Sequence, residues 1–471
     1  NYQYLYGEKS GFPFGGLFEL DAATNIRDAS SYENNYAIES YLSRFNYDYD
    51  DKYYFSASFR KDGSSRFNKD GRWGDFWSVG GSWRISQEPF MQSVDWINNL
   101  TLKASYGVQG NDNIGSLYAW QAFYSLAYPN QGMPGAIVSS LENKELRWEK
   151  NNNFNIGIEA RLMDKLSVTA EYYHRETADM LMDFPMALSL GFSGYSKNVG
   201  SMENSGLELS LSMDILKKHD LYWNMTLMGS TVSNKVTNLA DKPEILSGSY
   251  IIKVGEVMNS FYLSESAGVD PATGNKLYWV WDETDGVRGE KYISSDYQKA
   301  LQCRDVVGSR VPDLYGSWAN DFKYKGFDLS LMTTYSIGGK MLDGVYSGLL
   351  YSTYVGQAAH VDRLGKAWKK PGDIAEIPRI DANGSARITR TSDELFDASY
   401  FAIKNVTLGY TLPKKWTNSI KLQSVRLTVT ADNLHVFTAL KGMDPQYNFT
   451  GGTGYSYTPS RTISMGLDIR F

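Results

Sequence analysis

Apolar and polar residues alternate with a period of two along most of this chain, the pattern of a strand whose two faces meet different surroundings. Residues 153–162 set Phe154, Ile156, Ile158, Ala160 and Leu162 against Asn155, Gly157, Glu159 and Arg161. Leu166, Val168, Ala170 and Tyr172 alternate with Lys165, Ser167, Thr169 and Glu171, and Leu207, Leu209, Leu211, Met213 and Ile215 with Glu208, Ser210, Ser212 and Asp214. The last ten residues repeat it, with Ile463, Met465, Leu467, Ile469 and Phe471 on one side. Similar runs near 36–48, 52–61, 73–85, 98–109, 221–234, 313–323, 327–338, 399–412 and 423–436 bring the expectation to 13 strands. Several reach ten residues. Soluble strands average about 5–6 residues, whereas a tilted membrane-crossing strand needs about 9–11.

The connections sort by parity. Short turns are expected at 49–51, 86–97, 163–164, 217–219, 324–326 and 413–422, and long loops between them at 62–72, 110–149, 178–203, 235–312, 339–398 and 437–458. An outer-membrane barrel has short turns on one side and long loops on the other. Loops of such length inside a compact soluble domain would count against the strands themselves. The pattern therefore predicts an all-β, transmembrane antiparallel β-barrel whose last strand ends inward on Phe471. Bacterial barrels of the usual kind hold an even number of strands. Together with the opening at Asn1 inside Tyr-rich sequence, the odd count predicts the later part of a longer chain.

Composition narrows the chemistry. There are 47 Lys plus Arg against 53 Asp plus Glu, a net charge of −6 with no basic stripe, which excludes nucleic acid as a partner. One cysteine, Cys303, rules out a disulfide framework, and the scattered His174, His219, His360 and His435 show no metal-ligand spacing. Mean hydropathy is −0.40 and no run of about 18 apolar residues suggests a membrane helix. Aromatics are abundant, with 34 Tyr, 21 Phe and 12 Trp.

Several ordered phrases resemble the SusC/RagA family of TonB-dependent outer-membrane transporters. They include Phe59-Arg-Lys-Asp-Gly-Ser-Ser-Arg-Phe67, Arg72-Trp-Gly-Asp-Phe-Trp-Ser-Val-Gly-Gly-Ser-Trp-Arg-Ile-Ser86 and Ser105-Tyr-Gly-Val-Gln-Gly-Asn-Asp-Asn-Ile114. Leu146-Arg-Trp-Glu-Lys150, Asn198-Val-Gly-Ser-Met-Glu-Asn-Ser-Gly-Leu-Glu-Leu209 and Gly268-Val-Asp-Pro-Ala-Thr-Gly274 follow. Tyr324-Lys-Gly-Phe-Asp-Leu329, Lys404-Asn-Val-Thr-Leu-Gly-Tyr-Thr-Leu-Pro413 and Gly442-Met-Asp-Pro445 complete the set. The resemblance implies a barrel of about 22 strands around an N-terminal plug, a periplasmic contact with TonB, and a SusD-like surface lipoprotein acting as a lid. On that frame residues 1–35 are the end of an extracellular loop and 36–471 are strands ten to twenty-two, without the plug. The implied setting is the outer membrane of a Gram-negative bacterium, in contact with its lipid.

No catalytic constellation, resident metal or cofactor is expected, and no enzyme. Asp282, Glu283 and Asp285 are the nearest approach to a calcium loop, but their spacing departs from the EF-hand pattern. Aromatic faces stack on sugar rings or peptide side chains, so the candidate substrate contacts are loop aromatics: Tyr118, Trp120, Tyr124, Tyr278, Trp279, Trp281, Tyr346, Tyr351, Tyr354, Phe449, Tyr455 and Tyr457, with Trp368 beside them. Loop packing, a membrane-boundary girdle or contact with the lid are their alternative roles. Glu159, Arg161, Glu171, Arg426 and Asp432 are expected to face the lumen, lining the path or bridging to the plug. The function read from this is active import of oligomeric nutrients, glycan oligosaccharides first and peptides second. A passive pore or an adhesion barrel without energy coupling is the contrasting reading.

Overall fold

The computed structural model describes the chain apart from residues 17–18, 127, 129, 132, 134, 241, 352–355, 382–389 and 448–456. Thirteen strands form one continuous antiparallel wall: β1 (Ile38–Tyr49), β2 (Tyr53–Ser64), β3 (Trp73–Arg84), β4 (Ile97–Asn111), β5 (Glu149–Leu162), β6 (Leu166–Ala178) and β7 (Ser201–Lys218), then β8 (Leu221–Thr231), β9 (Leu314–Tyr324), β10 (Phe327–Ile337), β11 (Tyr400–Thr411), β12 (Ser424–Thr438) and β13 (Thr462–Arg470). Each pairs only with its chain neighbours, apart from a short strand Ser233–Asn238 that pairs with the upper part of β7. β1 and β13 are the two edges among the described residues.

Register carries one apolar face across the wall. Tyr47 faces Phe55, Phe55 faces Gly81, Gly81 faces Ala104, Ala104 faces Ile156, Ile156 faces Tyr172 and Tyr172 faces Leu207. Near the other edge Leu331, Val406, Ala431 and Ile463 continue the band. A slip of one residue anywhere would turn that strand's apolar side chains inward. Their exposure is high, 61% for Leu207 and 84% for Met465, a surface that water would not tolerate but lipid covers. The opposite face is polar and hollow, with Asn46, Ser56, Ser82, Lys103, Asn155 and Glu171 along one trough.

Two short turns show why the chain reverses there. Met163 and Asp164 have φ of 52° and 54°, and Lys325 and Gly326 have 45° and 92°. Two consecutive left-handed residues give the tight reversal whose twist suits adjacent strands. All 13 strands are as expected, with ends moved by a few residues, and short turns alternate with long loops except that the loop at 65–72 is shorter than the turns at 85–96 and 412–423. One expectation changes. Residues 221–234 are not a single strand: β8 ends at Thr231, and Ser233–Asn238 then pairs with β7 above it. Residues 1–35 contain a hairpin of Tyr2–Ser10 with Asn25–Asn34, in which Tyr4 stacks on Tyr32 at 4.9 Å between ring centroids.

The buried apolar clusters lie mainly in the long loops, where Val199, Val236, Leu239, Ile245 and Ile252 form one and Phe261, Leu263 and Leu342 another. The loops build their own structure, including a four-stranded sheet of Glu244–Ser247, Tyr250–Lys253, Ser260–Ser264 and Arg304–Gly308. These segments stand in water and must bury their apolar side chains against one another.

The wall also contains polar straps. Arg426 of β12 reaches over Gly409 of β11 to Asp328 of β10, Nη2 to Oδ2 at 2.5 Å. A Cβ at position 409 would lie 2.5 Å from Asp328 and 2.6 Å from Arg426. Gly409→Val should therefore displace the strap and cost about 1–3 kcal/mol through overpacking. A thermal melt followed by heat-modifiable gel mobility measures it, and an unchanged midpoint would remove the strap's role.

Candidate functional site

Much of the polar wall face is internally paired. Lys103 binds Glu159, Arg161 donates to Ser167 at 2.8 Å and lies 3.5 Å from Asp214, and Arg426 binds Asp328. Asp432 accepts from the Asn405 side chain at 2.7 Å. Glu171 differs. It has no hydrogen-bond or ion-pair partner among the described residues, and the residue directly opposite it on β7 is Glu208, which has none either. Asn153, Tyr173, Arg175, Asn204 and Tyr315 surround this acidic pair in one hollow, where Arg175 is held by its Nε–H donating to Asn153 at 2.6 Å. All five residues expected to face the lumen lie on this polar face. Alternation alone also placed Glu208 there. Its meeting with Glu171 needed the register across a 22-residue connection, from 179 to 200, which no local pattern supplies.

The loop aromatics divide by burial. Tyr278 is 1% exposed and packs with Trp281, Ala300 and Cys303, while Arg288 covers the Trp281 ring at 3.6 Å. Trp279 is half-buried beside them. Tyr346 is buried and donates its hydroxyl to Asp362 at 2.6 Å, with Tyr351 packed on the same cluster. Trp120 packs near Phe67 and Trp148, and the Tyr118 hydroxyl accepts the Asn35 N–H at 2.6 Å. Tyr124 at 62% and Tyr457 at 103% are the exposed members of the set. Tyr354, Phe449 and Tyr455 lie outside the described residues. The 268–274 phrase is a capped turn: Asp270 accepts from Ala272 N–H and Thr273 Oγ, and Gly274, at φ 73°, lies where any Cβ would strike the Trp368 ring. Trp368 in turn donates Nε1–H to the Pro271 carbonyl at 2.9 Å.

In the acidic loop Asp282 pairs with Lys299 at 2.7 Å, and Glu283 sits in a two-residue strand opposite Arg288, whose guanidinium pairs with Asp305 instead. Among the described residues no group of three or more His, Cys, Asp or Glu is placed to hold a metal.

Polar latches fasten loop to loop. Lys276, 1% exposed, binds Asp393 and so joins the loop after β8 to the loop after β10. Burial pushes the Asp393 carboxyl upward, but the Lys276 charge together with hydrogen bonds from Lys276, Thr391 and its own backbone N–H holds the group below its ordinary value. Asp343, fully buried, accepts from Tyr346 N–H at 2.9 Å and Gly442 N–H at 2.7 Å, joining the loops after β10 and β12. Asp362 accepts from Lys441 and Tyr346 across the same junction, and these hydrogen bonds pull its carboxyl down to about 2. A depressed carboxylate stabilises above its unfolded value, near ~4, and that stability is lost as pH falls through the folded value. Proteolytic cutting of the junction is therefore expected to rise between about pH 4 and pH 2, and Asp362→Asn should abolish that dependence.

Residues 1–434 match the family described as TonB dependent receptor-like, beta-barrel. TonB-dependent receptor P3 of Formosa agariphila is 31% identical over 96% of this chain and 47% of its own length. SusC of Bacteroides thetaiotaomicron is 25% identical over 95% of this chain and 45% of its own. Among solved structures, the RagAB peptide transporter superposes with a TM-score of 0.85 at 29% identity, covering 98% of this chain and 51% of that one. The chain thus spans about half the length of the curated relatives it matches. A wall that is apolar outside and polar inside, with turns on one rim and packed loops on the other, agrees with these likenesses, and the chain belongs to the TonB-dependent receptor β-barrel family, SusC/RagA type, of the outer membrane.

Proposed function

We propose that this chain supplies the later part of the wall and the extracellular loop roof of an outer-membrane importer of polar oligomers, closed by a SusD-like lipoprotein lid and driven through TonB. The observation that carries the reading is the Glu171–Glu208 pair, two facing carboxylates with no ion-pair partner among the described residues. Like charges directly opposite on a sheet repel, so the hollow is built for a cation from whatever fills the barrel. A lumenal plug presenting Arg or Lys meets that need, and a plug distinguishes a gated importer from a passive pore. No bond is made or broken in this cycle.

Oligosaccharide is the first cargo class, on the exposed loop rings Tyr124 and Tyr457; burial of Tyr278, Trp281 and Tyr346 withdraws those rings from stacking. Peptide is the second, favoured by the likeness to the RagAB peptide transporter over almost the whole chain. The test is mass spectrometry of small molecules retained by the native full-length complex. Bound oligosaccharides or peptides assign the cargo. A complex without a plug segment, passing solutes without TonB, would overturn the importer.

A further inference from the structure

The rim formed by the short turns is unevenly charged. On the β1–β6 side it carries Asp48, Asp50, Asp51, Glu88, Asp95 and Asp164 against Lys52, Arg84 and Lys165, with Asp50 paired to Lys52 and Asp51 to Arg84. On the β7–β12 side it carries Lys218, Lys325, Lys414, Lys415 and Lys421, all exposed, and the only carboxylate in the three turns between those strands is Asp220. The turn after β11 is a short helix, Lys414–Ser419, with no acidic residue anywhere from 412 to 423. Lys414, Lys415 and Lys421 make no ion pair among the described residues. Beside them Trp416 is 58% exposed and Ile420 62%. At the same level Phe327 stacks on Tyr410 at 4.3 Å, and Lys325 Nζ sits 5.2 Å from the centre of the Tyr324 ring. These rings end the apolar band of the wall, so the lysines stand where hydrocarbon gives way to headgroups.

We propose that this sector of the rim is a seat for anionic phospholipid headgroups of the inner leaflet. Trp and Tyr favour the level where acyl chain meets headgroup, and lysines extend apolar stems past that level to place their ammonium groups among phosphates. Trp416 and Ile420 enter the interface, while Lys414, Lys415 and Lys421, which make no ion pair among the described residues, meet the phosphate charge. Charge complementarity and continuity with the lipid-facing band select the occupant. The β1–β6 side of the rim pairs two of its carboxylates with Lys52 and Arg84 and has no cluster of unpaired lysines, so the seat is confined to one arc. The proposal rests on the outer-membrane placement of the wall.

The experiment uses the full-length transporter, reconstituted in nanodiscs of phosphatidylcholine containing phosphatidylglycerol and then released for native mass spectrometry. Each basic residue at an anionic surface contributes about 1 kcal/mol, roughly fivefold. The wild-type protein should retain phosphatidylglycerol in preference, and Lys414→Gln/Lys415→Gln/Lys421→Gln should reduce that preference by roughly tenfold or more. Trp416→Ala should lower total lipid retention and leave the preference intact. Equal retention of both lipids by the wild-type protein, or an unchanged preference in the triple variant, overturns the seat. Heat-modifiable mobility confirms that each variant is a folded barrel. Failure of the protein to fractionate with outer membrane would instead sink the placement on which the seat depends.

Discussion

Asp393→Leu should destabilise the loop roof by about 3–5 kcal/mol, the usual consequence of leaving a buried charge without its partner. Lys276 is 1% exposed, and Asp393 is the carboxylate that compensates it. The latch has supporting bonds: the Ser266 N–H donates to Ser392 Oγ at 3.1 Å, and Thr391 with Glu394 forms a reciprocal cap on the turn. Asp393 keeps a third of its side chain exposed, so Lys276→Met should cost less, because the carboxylate left behind can turn to water. The double variant Lys276→Met/Asp393→Leu should recover most of the loss, since neither charge remains. Hydrogen exchange across 260–280 and 391–398 in the native complex reads the effect. Protection in Asp393→Leu equal to that of the unaltered protein would show that the latch holds nothing. The Asp393 carboxyl lies below its ordinary value, so the latch is complete above the unfolded value and weakens as pH falls through the folded one.

The second large effect concerns the lumen. Glu171→Gln/Glu208→Gln in the full-length protein should weaken the grip on a lumenal cation by about 1.5–3 kcal/mol, the range for hydrogen bonds to charged groups. The expected phenotype is increased susceptibility of cells to a bulky hydrophilic antibiotic together with slowed energised uptake. Each single variant should fall between, because one carboxylate still offers a partner. The wall itself should not suffer, since relieving facing charges stabilises a strand pair by about 0.2–1 kcal/mol. If antibiotic entry and uptake both stay unchanged while the barrel remains folded, the cation reading of the pair fails.

The loop roof shows why burial matters for reading aromatic residues from sequence. Tyr278 and Tyr124 look alike as isolated letters in long loops. Tyr278 lies in the sheet of Ser266–Val269, Lys276–Val280 and Tyr292–Ser294, packed on Cys303, whereas Tyr124 belongs to a three-residue strand and stays in water. Nothing local separates the two, because the difference is made by segments tens of residues away folding over one ring and not the other.

By itself the sequence determined the strands and their faces. A period of two is a local property, set by which side chain points to lipid, and Ile156, Tyr172 and Leu207 declared their face before any partner was known. Parity of connections did the same for the rims, since turn length and chain reversal are local as well. The phrases shared with SusC/RagA transporters extended this to the family. The tertiary structure alone decided which residues meet across loops. Glu171 found Glu208, Lys276 found Asp393 and Asp343 found Gly442 through contacts separated by 37, 117 and 99 positions. Register across long connections and burial within the roof follow from packing of the whole chain, and no short pattern encodes them.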